Sequence, residues 1–100
     1  MKTISERLYN RDQSWYFERI VRKDVRSAPL KVDIRRNAYD NQSGARVWRW
    51  NGSEWKLVVD APISDCVCRS VRYTNDASVS DFECDFDRLL NEALEIIEEA

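Results

Sequence analysis

Residues 46–60 read RVWRWNGSEWKLVVD, with three tryptophans inside eight positions around an Asn-Gly pair. Asn51-Gly52-Ser53-Glu54 carries the turn chemistry of a β-hairpin, because Asn and Gly tolerate the backbone angles such loops require. The flanking runs Ala45–Trp50 and Trp55–Asp60 are rich in the aromatic and β-branched residues that favour strands. A four-residue loop sets Trp50 opposite Trp55 and Trp48 opposite Leu57. Strict alternation then assigns Trp48, Trp50, Trp55, Leu57 and Val59 to one face and Val47, Arg49, Lys56, Val58 and Asp60 to the other. Indoles expose a large apolar area unless covered, so the tryptophan face is expected to be mainly core, the alternative being a partly exposed aromatic patch of the kind that marks interaction sites.

Working back from the hairpin, Leu30-Lys31-Val32-Asp33-Ile34-Arg35 alternates apolar and polar residues. Period two marks a half-buried strand with Leu30, Val32 and Ile34 turned inward. Ser14–Lys23 is a second strand candidate, with Trp15, Phe17, Arg19 and Val21 sharing one face. The intervening Asn37–Gly44 is dense in turn formers. At the N-terminus, Thr3-Ile4-Ser5-Glu6 matches a capping box and predicts a short helix over Ile4–Tyr9.

On the C-terminal side, Cys66–Tyr73 reads as a fifth, edge-like strand. Ser80 is the expected cap of a long final helix, with Glu83 completing its capping box. Phe82, Phe86, Leu89, Leu90, Ala93 and Ile97 recur at spacings of three and four and form one apolar stripe. The expected fold is therefore α+β: a four- to five-stranded antiparallel sheet, a short N-terminal helix, and a long C-terminal amphipathic helix packed on one face. One hundred residues are read as one domain.

Composition narrows the chemistry. The chain contains no histidine, so the commonest general base and every Ser-His or Cys-His nucleophile pair are missing. Its two glycines, Gly44 and Gly52, form no phosphate-cradling loop. No assembled set of catalytic roles is present, and a non-enzymatic protein without a cofactor is expected. Cys66, Cys68 and Cys84 lack the four-ligand spacing of a structural zinc site, and an odd count argues for reduced thiols in a cytosol. Asp81, Glu83, Asp85, Asp87 and Glu92 follow a calcium-loop rhythm, but Phe86 stands where that loop needs glycine. No metal site is expected. Neither a membrane-spanning run nor an apolar leader is evident, so a cytoplasmic protein is expected.

The net charge of −2 conceals an asymmetry. Residues 1–50 carry a balance of +6 and residues 51–100 a balance of −8. Arg19, Arg22, Lys23, Arg26, Lys31, Arg35 and Arg36 are either a solvated sheet face or a basic stripe able to hold nucleic-acid phosphates. The acids of the last helix either solubilise it or dock on a basic protein patch. Candidate partner contacts are Asp85, Glu92, Glu95 and Glu99 on the helix, Arg35, Arg36 and Arg49 on the sheet, and Tyr39 and Asp40 in the loop. A homo-oligomer through Tyr16, Ile20, Val47 and Val58 on the second sheet face is compatible with the pattern.

The segment KVDIRRNAYDNQSGARVWRWNGSEWKLV, followed by the terminal LLNEALEII, resembles small accessory proteins encoded by bacteriophages of actinobacteria. The resemblance rests on Ile34-Arg35-Arg36-Asn37-Ala38-Tyr39-Asp40, Gln42-Ser43, Ala45-Arg46-Val47 and the Trp50-Asn51-Gly52…Trp55 turn. It implies a life in the host cytoplasm and a role in binding or inhibiting a host protein. No functional motif transfers with it residue by residue.

Overall fold

A computed structural model describes residues 1–37, 42–62 and 77–99. Five strands pair antiparallel in chain order, β1 (Lys2–Arg11), β2 (Ser14–Arg22), β3 (Leu30–Asn37), β4 (Gly44–Trp50) and β5 (Trp55–Pro62). One helix among the described residues, α1 (Ser80–Glu99), packs across β3, β4 and β5 on one face of this meander. The fifth strand anticipated at Cys66–Tyr73 lies outside the described residues.

The N-terminal segment departs from expectation: Ile4–Tyr9 is strand, not helix. A six-residue helix gains one cap and bears the full nucleation penalty. The same residues as β1 pair with β2 from Lys2↔Arg22 to Arg11↔Ser14, with one irregularity between Thr3 and Ser5. A two-residue turn makes this hairpin possible. Asp12 and Gln13 adopt φ of 52° and 63°, the left-handed pair that matches strand twist. Leu8 then sits beside Phe17 and packs against the core.

The inner sheet face follows the expected alternation in β2 and β3. Phe17, Val21, Leu30, Val32 and Ile34 are buried, joined by Ala45, Val47, Val59 and Ala61. Phe82, Phe86, Leu89, Leu90 and Ala93 cover them from α1, as the helical stripe predicts. Phe17 stacks on Phe82 at 5.5 Å and meets Phe86 edge-on at 6.3 Å.

The tryptophans are where the sequence reading inverts. Trp50↔Trp55 and Trp48↔Leu57 pair as expected, but Val47 pairs with Val59, leaving Val58 as the extra residue of a bulge. One inserted residue reverses the facing of everything beyond it. Val59 and Ala61 therefore turn inward with Val47, while Trp48, Trp50, Trp55 and Leu57 lie on the opposite face. The three indoles are half-buried there, and Leu57 is 49% exposed. The helix explains the choice: Ala45, Val47, Val59 and Ala61 are small enough for α1 to approach the sheet closely, whereas three indoles would hold it off.

The helix start also shifts. Ser78, not Ser80, anchors it: the Ser78 N–H donates to Asp81 Oδ2 at 2.7 Å, and the Asp81 N–H donates to the Ser78 carbonyl at 3.1 Å. Glu83 is thereby released to meet Arg19 at 3.3 Å.

Candidate functional site

The face of the sheet opposite α1 carries no other element among the described residues. Register builds it in rows. Arg7, Glu18, Asp33, Arg46 and Asp60 stand side by side across all five strands. The neighbouring row on one side is Tyr9, Tyr16, Arg35, Gly44 and Pro62; on the other it is Ser5, Ile20, Lys31, Trp48 and Leu57. A charged band thus runs between two aromatic ones.

Cation–ring contacts tie the bands together. Tyr9 and Tyr16 stack at 5.1 Å, with Arg7 over the first at 4.8 Å and Arg35 over the second at 5.5 Å. Lys31 bridges Trp48 and Trp55, 5.6 and 4.7 Å from their ring centres. Such contacts contribute about 0.5–1 kcal/mol each where solvent reaches them. They hold both the rings and the charges in place.

Between the bands lies a groove of about 410 Å³, walled by Tyr9, Tyr16 and Trp48 and lined by Glu18, Asp33, Arg35, Arg46 and Asp60. Gly44 is what leaves it open, since that position in its row contributes no side chain. Asp33 accepts a hydrogen bond from Trp48 Nε1 at 3.0 Å, which fixes the indole against the groove. Burial raises the Asp33 carboxyl above its ordinary range, with neighbouring Glu18 adding to the rise and Lys31 opposing it. Arg46 and Asp60 pair loosely at 3.5 Å on the solvent side.

The groove offers aromatic faces, the carboxylates of Glu18, Asp33 and Asp60 and the guanidinium groups of Arg35 and Arg46, with Asp33 already engaged by Trp48 Nε1. Among the described residues, no group of three or more Cys, Asp or Glu side chains could hold a metal ion. No helix among them is long and apolar enough to cross a membrane.

The residues singled out from sequence scatter over the molecule. Arg35 belongs to the open face, its Nε also donating to Ser14 Oγ at 3.3 Å. Arg36 and Asp85 are 1% and 0% exposed and form an ion pair with each other between β3 and α1. Their charges are spent internally, so a folded partner cannot reach them. Glu92 and Glu95 lie exposed on the outer side of α1, Glu99 is its last residue, and Arg49 is exposed at the end of β4. Tyr39 and Asp40 lie outside the described residues. Of the oligomer surface, Tyr16 and Ile20 are on the open face, but Val47 is fully buried beneath α1.

The seven-residue basic stripe does not form as one surface. Arg19 lies inward, 5.0 and 4.5 Å from the ring centres of Phe17 and Phe86, and pairs with Glu6 at 2.6 Å. Arg36 is buried, and Lys31 and Arg35 are laid over aromatic rings. Tyr9, Glu18, Asp33, Arg46 and Asp60 escaped the sequence reading, and Trp48 was expected mainly in the core. Recognising Asp12-Gln13 as a hairpin turn would have set Tyr9 against Tyr16; nothing local signals the Val58 bulge that turns Val59 and Ala61 inward.

Comparison with known proteins found no matching family model, no matching curated protein and no matching solved structure.

Proposed function

We propose that this chain is a non-enzymatic binding protein that engages another protein through the open face of its sheet. The observation that carries the reading is the composition of that face: half-buried Tyr9, Tyr16, Trp48, Trp50 and Trp55, interleaved with Arg7, Lys31 and Arg35. Tyrosine, tryptophan and arginine dominate the energetic centres of protein interfaces, because each presents a large rigid area with a polar handle. The charged row through the centre, alternating in sign toward β5, favours a partner surface with an apolar patch crossed by complementary charges. The resemblance to actinobacteriophage accessory proteins supports a host protein in the host cytoplasm as that partner, its activity inhibited or redirected by the chain.

The test is affinity capture from actinobacterial lysate, with and without nuclease treatment, using the parent and two variants of the protein as bait. Tyr16→Ala/Trp48→Ala removes the walls of the groove, and Glu92→Lys/Glu95→Lys reverses charge on the outer side of α1. The expected result is one stoichiometric protein, lost with the first variant and retained with the second. Retention by both variants, or loss with the helix variant alone, refutes the open-face reading. Retention that vanishes with nuclease treatment refutes a protein partner.

A further inference from the structure

A second concavity lies at one end of the sheet, between the 24–27 turn and the β4–β5 turn. Arg22, Arg26, Arg49 and Lys56 line it with Trp50 and Gly52, and no carboxylate is among its lining residues. We infer that this basic, tryptophan-edged end binds single-stranded nucleic acid, with the four cations on consecutive phosphates and a base against Trp50.

Both walls are fixed in advance. Asp24 Oδ1 accepts from the backbone N–H groups of Arg26 and Ser27 at 2.8 and 3.0 Å and from Ser27 Oγ at 3.1 Å. The acid closest to Arg26 in sequence is therefore turned into its own loop. Asn51 Oδ1 does the same across the other turn, accepting from the Ser53 and Glu54 N–H groups at 3.0 and 2.9 Å. The Trp50 N–H donates to the Pro29 carbonyl at 3.0 Å and locks the two turns together. Among the described residues Arg22, Arg26 and Arg49 form no ion pair, and only Lys56 has one, with exposed Glu54 at 2.9 Å.

Uncompensated cations held on rigid turns attract phosphate without an ordering penalty, and bound counter-ions are released when phosphates arrive. The aromatic element separates a nucleic acid from a bare anion. Trp50 rims the concavity and packs edge-on against Trp55, 5.4 Å away, which continues onto the open face. An indole at the edge of a cationic groove is a stacking platform for an unpaired base, not for a stacked duplex. The net charge of −2 is no obstacle, because the acidic excess lies in residues 51–100, much of it on α1, and the cations are local to one end.

The test is fluorescence anisotropy with labelled oligo-deoxythymidine across a salt series, with intrinsic tryptophan emission recorded alongside. About four phosphate contacts give a slope of log affinity on log salt near −3 for a single strand. Arg26→Ala/Arg49→Ala, both exposed and with folding checked by circular dichroism, should halve that slope and weaken binding at low salt more than about tenfold. Trp50→Phe should keep the affinity but abolish the quench of emission. An oligonucleotide that does not bind at low salt, or binds the double variant equally, overturns the inference. Equal competition by inorganic polyphosphate with no Trp50 quench overturns it in favour of a simple anion site. Binding to phosphatidylglycerol vesicles but not to the oligonucleotide overturns it in favour of a lipid headgroup.

Discussion

Replacing Asp85 by Asn tests the buried centre of this fold. Asp85 and Arg36 are 0% and 1% exposed and paired between α1 and β3, so neither charge has solvent to fall back on. Removing one partner of such a pair leaves the other charged in a poorly polarisable interior, at a loss of about 3–5 kcal/mol. Domains of this size are stable by about 5–15 kcal/mol, so the variant would forfeit about a fifth or more of the total. At about 4–8 °C per kcal/mol the midpoint of thermal unfolding should fall by roughly 12 °C or more. Urea denaturation followed by far-ultraviolet circular dichroism and by tryptophan emission gives the free energy by two probes. The paired replacement Arg36→Met/Asp85→Leu provides the control, because it removes both charges while keeping apolar volume. It should recover most of the loss, since well-packed apolar pairs match or exceed buried ion pairs in stability. A change below about 1 kcal/mol in Asp85→Asn, outside the range expected for a broken buried pair, refutes the reasoning. Unchanged stability with loss of partner capture would instead place Asp85 at a binding surface.

Three further outcomes follow from local geometry. Asp33 has a raised folded-state pKa, so its contribution is most favourable below the ordinary carboxylate value of 3.8 and declines as pH rises from there through the folded pKa. Asp33→Asn keeps an acceptor for Trp48 and removes that decline, so its stability relative to the parent should grow with pH over that window in a pH-series denaturation. Asp24 behaves oppositely: the hydrogen bonds from Arg26 and Ser27 lower its pKa, so its support of the 24–27 turn is present above 3.8 and lost as pH falls through the folded value. Amide exchange at Arg26 and Ser27 should accelerate in acid in the parent, and be fast and less pH-sensitive, beyond intrinsic exchange, in Asp24→Ala. At the β1–β2 turn, Gln13 holds a φ of 63°, which a side chain tolerates poorly. Gln13→Gly should raise stability by about 1 kcal/mol, measured by urea denaturation, and a loss of that size would refute the turn geometry.

What sequence alone determined is local. Period-two alternation set Leu30, Val32 and Ile34 inward, and helical spacing set Phe82 to Ala93 on one stripe, because side-chain direction along a regular element is fixed by backbone geometry. The Asn51-Gly52 turn and the Trp50–Trp55 pairing were legible for the same reason. Three decisions belonged to tertiary structure. Ile4–Tyr9 became a strand because nine paired positions along β2 outweigh one capping signal. Arg36 and Asp85 became core because β3 and α1 meet at those positions, a fact absent from either segment alone. Above all, the pairing of Val47 with inward Val32 put the tryptophans on the face away from the helix, and the bulge at Val58 brought Val59 and Ala61 inside beside Val47. Alternation predicts which residues share a face only while register is unbroken, and the close approach of α1 selected small Ala45, Val47, Val59 and Ala61 for the inside. The candidate binding face exists because that packing demand sent the indoles to the other side of the sheet.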